Sequence, residues 1–329
     1  MDEASSRFVD QLVLEKLVNE KLARVHHQCL EPIEVLLKPA YHRLKCTDPR
    51  RTIEVRAQES GIWIQSEATQ PSEKTEWYRL VEHRADHPRG AILLVHGLYE
   101  ENRAIYGFLI GELVRRGYSV YLTTLPYHYE RTPNESRFGG EYFFSANLLR
   151  TKQAFERAAA ELAECHGWLS RHTEVPLYVV GFSMGATVAL ALAGLTQTLS
   201  ALTLINPAAG VREVLWTSPL SRTIRADLVA SGLDREVIDQ VLLTFDPCAA
   251  KEPMLSRERI QLIYGAFDQV TLPIQYQSFA ERWGLSQVKC YRSGHLNVLR
   301  VPRLADEIVT FFNNVTTQSV NSKLETLCQ

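Results

Sequence analysis

The sequence predicts an α/β fold with a mostly parallel sheet and helices on both faces. Three observations support this. From about residue 91 onward, strand patterns alternate with helical patterns, which is typical of βαβ units. The strand segments, such as 91–95, are continuous apolar runs, as expected of parallel strands that are buried on both faces. A serine flanked by glycines, Ser183, stands between one strand and the next helix.

Composition excludes several classes of protein. The 329 residues are 45% apolar and 22% charged, which suits a folded domain with a sizeable core. The net charge is −2 and no basic stripe occurs, so we expect no nucleic-acid partner. No apolar run reaches the roughly 18 residues that cross a bilayer, and residues 1–10 lack a secretory signal pattern. We therefore expect a cytoplasmic protein in which the six scattered cysteines are reduced.

The first 90 residues show two other patterns. Apolar residues recur at spacings of three and four over residues 6–27, which predicts an amphipathic helix. This helix either packs on the protein body or turns its broad apolar face to a partner or membrane. The oligomeric state stays open, with this helix as a candidate contact. Alternating residues then predict short antiparallel strands at 52–56, 61–64 and 77–81.

The region after residue 90 divides into strands and helices in chain order. The predicted strands are 91–95, 118–125, 176–180, 201–205, 260–264 and 287–291, and the predicted helices are 102–116, 146–171, 186–195, 274–283 and 302–313. We assign residues 1–90 to an N-terminal extension, 91–210 and 254–315 to the core, 211–253 to a helical insertion, and 316–329 to a polar, frayed tail.

The segment Gly-Phe-Ser-Met-Gly around Ser183 predicts a nucleophile on a sharp turn. An apolar strand enters it and an alanine-rich helix leaves it, which forces the central residue into a strained conformation with its side chain exposed. Gly181 and Gly185 stand where a Cβ would collide as strand and helix nearly touch. The free N–H groups of the helix N-terminus lie beside the serine, where an oxyanion would form. The alternative is a serine that only caps a buried helix.

On this pattern, residues from about 91 to 313 resemble the α/β-hydrolase superfamily, over roughly two-thirds of the chain. The resemblance implies a triad in the order nucleophile, acid, histidine. Asp268 in Gly-Ala-Phe-Asp follows a predicted strand and resembles the family's acid, although a capping role is the alternative. His295 in Ser-Gly-His resembles the general base, and it is the only histidine after residue 172.

The resemblance also implies an oxyanion hole. His96-Gly97 ends the first core strand, and in the superfamily such a pair precedes a residue whose N–H helps to bind the oxyanion. Leu98 and Met184 are therefore the two expected donors. We interpret His96 as a residue that braces this loop; the alternatives are a base or a metal ligand.

Two further segments are candidates for substrate binding. The insertion 211–253 carries apolar residues at helical spacing, among them Trp216, and either caps the site or packs beside the sheet. The stretch Pro-Tyr-His-Tyr-Glu-Arg-Thr-Pro follows a core strand and also resembles a little-characterised microbial branch of the superfamily. Its His128 and Arg131 either contact substrate or brace the loop. Tyr99 is a further candidate for substrate contact.

The sequence thus predicts a serine hydrolase that cleaves a carboxylic ester, thioester or amide of a small or lipid-like acyl group, with no cofactor. An acyltransferase with the same triad and a non-catalytic binding protein of the same fold are the alternatives. Metal-dependent hydrolysis is disfavoured and we expect no metal, since His26, His27 and Cys29 cluster without a carboxylate partner at ligand spacing.

Overall fold

The computed structural model describes residues 2–21, 32–38, 55–58, 61–66, 77–196, 198–249 and 253–327. It contains a nine-stranded sheet in the order β1-β2-β3-β5-β4-β6-β7-β8-β9. The strands are β1 (Val55–Gln58), β2 (Gly61–Gln65), β3 (Trp77–His83), β4 (Gly90–Val95), β5 (Tyr118–Leu122), β6 (Leu177–Phe182), β7 (Ala201–Ile205), β8 (Ile260–Gly265) and β9 (Gln287–Tyr291). The six strands from β4 to β9 run parallel, and β1, β2 and β3 extend one side in antiparallel pairing.

Helices cover both faces of this sheet, as predicted. They are α1 (Glu3–Lys16), α2 (Ile33–Leu36), α3 (Gly107–Arg115), α4 (Leu148–His172), α5 (Met184–Ala193), α6 (Val211–Thr217), α7 (Arg222–Ala230), α8 (Arg235–Leu243), α9 (Pro273–Trp283) and α10 (Leu304–Leu327). Alternate residues of β4 enter different cores: Leu93 belongs to the core that includes buried residues of α4, α5 and α9, whereas Ile92 and Leu94 belong to the core that includes those of α3 and α10. This alternation explains why the central strands are apolar throughout.

The structure of the C-terminal segment differs from the predicted frayed tail. Residues after 315 were predicted to form a frayed tail, but α10 continues to Leu327. No glycine or proline interrupts the chain between Leu304 and Leu327, so nothing in the sequence stops the helix. Thr316 also attaches this part of α10 to the sheet, because its hydroxyl lies 2.7 Å from the Tyr178 hydroxyl.

The insertion forms the three helices α6, α7 and α8. Asp246 fixes its base: the buried carboxylate accepts hydrogen bonds from the N–H groups of Val211 and Cys248, at 2.8 and 2.9 Å. Val214, Leu220 and Ser221 of the insertion line a cavity next to Ser183. The insertion therefore borders the candidate site.

The N-terminal helix packs on the body of the protein. Helix α1 buries Ser6, Asp10 and Leu14, which are spaced by four residues and so share one face. A π-helical turn, Leu17–Lys21, continues it. The remainder of the predicted helix, residues 22–27, lies outside the described residues. Phe8 and Leu12 stay exposed on the opposite face.

Candidate active site

Ser183 lies between the last residue of β6 and the first residue of α5. Its backbone adopts φ 53° and ψ −125°, a strained conformation for a residue with a side chain. Glycines make this turn feasible. A Cβ on Gly185 would overlap the backbone of Val95 and His96, and one on Gly181 would overlap Ala186. The partly exposed Ser183 side chain therefore projects at the carboxyl edge of the parallel strands.

Ser183 contacts His295, and His295 in turn contacts Asp268. His295 Nε2 lies 2.9 Å from Ser183 Oγ, and His295 Nδ1 lies 2.7 Å from Asp268 Oδ2. Tyr276 donates its hydroxyl to the same Asp268 oxygen at 2.6 Å. The other carboxylate oxygen accepts from the N–H groups of Val270 and Thr271 at 2.7 and 3.0 Å. These donors fix the carboxylate, so that Asp268 can orient the imidazole.

The surroundings of His295 favour its protonated form. Burial alone lowers the pKa of His295, but the charge of Asp268 and the hydrogen bond to it raise the pKa above its ordinary value. Negative charge on Asp10 and Glu100 acts in the same direction. An imidazolium formed when His295 takes the Ser183 proton would thus be stabilised.

Leu98 and Met184 both line the cavity beside Ser183. Met184 is the first residue of α5, so its N–H has no acceptor within the helix. The loop before Leu98 is fixed by His96, whose Nε2 accepts the N–H of Leu125 at 3.0 Å. Burial holds the pKa of His96 well below its ordinary value, which suits a neutral bracing residue.

Glu100 is a functional candidate that the sequence analysis did not include. Only 12% of its side chain is exposed, and it lines the cavity. Its carboxylate accepts hydrogen bonds from Gly97 N–H, Tyr106 hydroxyl and Tyr129 hydroxyl at 3.1, 2.6 and 2.8 Å. Burial raises the pKa of Glu100 to about 7. No sequence motif identifies this residue: Gly97 and Tyr106 are near it in sequence, but Tyr129 follows the next strand, 29 residues later.

The cavity next to Ser183 has a volume of about 210 Å³. Most of its wall is apolar and comes from three regions. The N-terminal helical segment supplies Val13, Leu14 and Leu17, and the insertion supplies Val214 and Leu220. The core adds the candidate site residues themselves. Such a cavity binds an apolar group by burial, with polar atoms only at the reacting end.

The structure places one of the four predicted substrate contacts in the cavity wall. Tyr99 lines the cavity, whereas His128, Arg131 and Trp216 do not. His128 is fully buried; its Nδ1 lies 2.8 Å from Pro126 O, and its Nε2 accepts the N–H of Tyr99 at 3.3 Å. It therefore braces the loop.

The side chains of Arg131 and Trp216 form hydrogen bonds with other residues of the protein. Arg131 is fully buried, and both its terminal nitrogens donate to the carboxylate of Glu161 at 2.7 Å. Because both terminal nitrogens bind Glu161, the guanidinium group is occupied and does not face a substrate anion. Trp216 donates its indole N–H to Asp239 at 2.5 Å and stacks against Arg235, within the insertion.

Three of the cysteines fall in the described part of the chain. Cys165, Cys248 and Cys290 are free thiols there, and the first two are buried. Across the described ranges no three histidine, cysteine, aspartate or glutamate side chains gather as a metal site. His26, His27 and Cys29 lie outside those ranges. None of the helices in the described ranges is long and apolar enough to cross a membrane.

Comparison with known proteins gives one family match. The model of the alpha/beta hydrolase family matches residues 92–305. No curated protein matches the sequence. Acetyl xylan esterase 1 from Thermoanaerobacterium sp. JW/SL YS485 is similar in structure, with 15% identity and a TM-score of 0.58 over 91% of this chain and 98% of that one. A lipase in an open form has 16% identity and a TM-score of 0.51 over 77% and 99%. DcsB in complex with its substrate analogue has 13% identity and a TM-score of 0.52 over 80% and 99%.

Proposed function

This chain belongs to the alpha/beta hydrolase family, and we propose that it is a serine hydrolase that cleaves carboxylic esters through an acyl-enzyme on Ser183. The observation that carries the proposal is the unbroken series of contacts from Ser183 Oγ through His295 to Asp268, at 2.9 and 2.7 Å. Solved structures that share the fold include an esterase and a lipase, and we carry ester cleavage over from them as part of the proposal.

Acylation begins with attack by Ser183. As Oγ bonds to the ester carbonyl carbon, its proton passes to His295 Nε2, and the carbonyl electron pair moves to oxygen. The N–H groups of Leu98 and Met184 stabilise that oxyanion; such a donor typically contributes about 3 kcal/mol. The intermediate then collapses, and the leaving alkoxide takes the proton from His295. The products of this half-reaction are the alcohol and the acyl-enzyme.

Deacylation repeats these steps with water. His295 accepts a proton from water as the water oxygen attacks the acyl carbon. Collapse of the second oxyanion breaks the bond to Ser183 Oγ, which regains its proton from His295, and the carboxylic acid leaves. Acyl transfer differs only in that an alcohol or amine replaces water, and thioester or amide cleavage only in the leaving group. Those reactions remain the alternatives within the same site, and a non-catalytic binding protein remains the alternative outside it.

The cavity favours a short apolar acyl group. Its volume of about 210 Å³ lies below the roughly 300 Å³ at which pockets for drug-sized ligands begin. A long fatty acyl chain would need a larger cavity. Polar acyl groups would lose hydration without gaining partners on the apolar wall.

The experiment is a panel of p-nitrophenyl esters from acetate to palmitate, with matched thioesters and with the Ser183→Ala protein as the background control. We expect kcat/KM to be highest for chains of about two to six carbons and to fall for longer ones, because longer chains do not fit the cavity. A maximum at long chains would contradict the short-acyl assignment. Faster thioester cleavage at matched acyl groups would replace the ester assignment, and no turnover of any substrate would favour a binding protein.

A further inference from the structure

The N-terminal helix reaches the loop that carries His295. Asp10, in α1, is 1% exposed, and its carboxylate accepts the backbone N–H of His295 at 2.6 Å. The same carboxylate accepts the N–H groups of Leu296 and Gln269 at 3.3 and 3.4 Å. His295 lies 285 residues from Asp10 in sequence. One carboxylate thus joins α1 to the loop of the candidate base and to the residue after Asp268.

A second tie runs along the same face of α1. Ser6, one helical turn before Asp10, accepts a hydrogen bond from Asn297 Nδ2 at 3.2 Å. Asn297 in turn accepts the N–H of Gly294 at 2.6 Å. This arrangement requires glycine at residue 294, because a Cβ there would lie 2.6 Å from Asp10 Oδ2. The loop from Gly294 to Asn297 is therefore shaped to receive α1.

The backbone of His295 is held on both sides. Asp10 accepts its N–H, and Asn206 Nδ2 donates to its carbonyl at 2.9 Å. Asn206 follows the core strand β7, whereas Asp10 comes from outside residues 92–305, to which the family model matches. Hydrogen bonds that involve a charged group are shorter and stronger than neutral ones, so the Asp10 contact is the stiffer of the two.

We propose that Asp10 is a positioning residue, which holds the His295 loop so that the imidazole stays in line with Ser183, and that α1 is thereby part of the active site. This inference rests on the function proposed above. Helix α1 also contacts the substrate region directly, since Val13 and Leu14 form part of the cavity wall. Movement of α1 would therefore alter the base and the acyl pocket together.

The charge of Asp10 should affect the pH dependence of activity, which a merely structural role would not change. The charged groups that face His295 are Asp268, Asp10 and Glu100, and the charge of each raises the pKa of His295. Burial raises the pKa of Asp10 itself, and the His295 N–H donor opposes that rise. His295 must be neutral to accept the Ser183 proton, so activity falls as the pH drops through its pKa. Removal of the Asp10 charge lowers that pKa and moves the fall in activity to lower pH.

The test compares Asp10→Asn with Glu15→Gln, which removes the charge of an exposed glutamate on the same helix. Asparagine has nearly the shape of aspartate, but it carries no charge and only one of its two terminal atoms accepts hydrogen bonds, so its NH2 group would face a backbone N–H donor. For Asp10→Asn we expect kcat to fall about 10-fold, as for loss of a charge-assisted hydrogen bond, with KM nearly unchanged. The acid limb of kcat/KM against pH should move to lower pH. Glu15→Gln should match wild type in both.

The failures of the two proposals can be told apart. An inactive wild type contradicts the proposed function, whatever Asp10 does. If wild type is active and Asp10→Asn is equally active, the positioning role is overturned. It is also overturned if Asp10→Asn loses activity only in proportion to the loss of folded protein and its acid limb stays at the wild-type pH. If Asp10→Asn does not fold, Ser6→Ala tests the same loop through a neutral contact. It should lower kcat with KM unchanged, and an unchanged kcat would overturn the inference.

Discussion

Replacement of Ser183 by alanine is expected to lower kcat/KM by roughly 10⁴-fold or more, with almost no change in the melting temperature. The residual rate should be small because the attacking oxygen is lost, while the oxyanion donors and the cavity remain. Stability should persist because the backbone strain at φ 53° is the same for serine and alanine, and Gly181 and Gly185 still permit the turn. Steady-state hydrolysis of the best p-nitrophenyl ester and a thermal melt provide the measurements.

Ser221→Ala is the matched control for this prediction. Ser221 lines the same cavity but belongs to the insertion, and the hydroxyl that approaches His295 is that of Ser183. The control should keep activity within a few-fold of wild type. Activity of Ser183→Ala near that of wild type would mean that another group is the nucleophile, and the proposed mechanism would then be wrong.

Replacement of Asp268 by asparagine is expected to lower kcat by about 10⁴-fold with KM little changed, as occurs when a triad acid is replaced by its amide. Asp268 Oδ2 accepts from both His295 Nδ1 and the Tyr276 hydroxyl. An amide nitrogen in that position would oppose the Nδ1–H and favour the tautomer with its proton on Nε2. That tautomer cannot accept the proton of Ser183. The measurement is kcat across the pH range, beside circular dichroism of the folded variant.

Asp234→Asn is the control for the acid. Asp234 is the exposed N-cap residue of α8 and its side chain makes no capping hydrogen bond there, so asparagine should be tolerated at this position. This variant should show wild-type kcat. A fall in kcat of less than about 10-fold for Asp268→Asn would show that the imidazole does not depend on that carboxylate, and a different acid would have to be sought.

The sheet and the positions of three site residues could be predicted because local patterns carry them. Parallel strands buried on both faces appear as apolar runs, and β7 and β9 have the predicted bounds. Ser183, Asp268 and His295 each follow a parallel strand, and the carboxyl ends of such strands meet at one edge of a sheet. The family resemblance implied the order nucleophile, acid, histidine, and this geometry explains why three residues so far apart in the chain lie together.

The partners of buried charges could not be predicted because they are distant in sequence. Arg131 looked available for substrate, but Glu161, 30 residues later on α4, takes its guanidinium group. Asp10 looked like an ordinary polar position of a surface helix, and its partner lies near the other end of the chain. Periodicity reports which residues are buried, whereas long-range pairing is fixed by the tertiary fold.

Covalent labelling of wild type with an alkyl fluorophosphonate tests most directly whether Ser183 is an activated nucleophile. The reagent phosphonylates a serine whose proton is removed by a neighbouring base, and fluoride leaves. We predict one adduct per chain, located on the peptide that contains Ser183 by mass spectrometry and absent from Ser183→Ala. Folded wild type that stays unlabelled, or that carries its adduct on another residue, would contradict the assignment of Ser183.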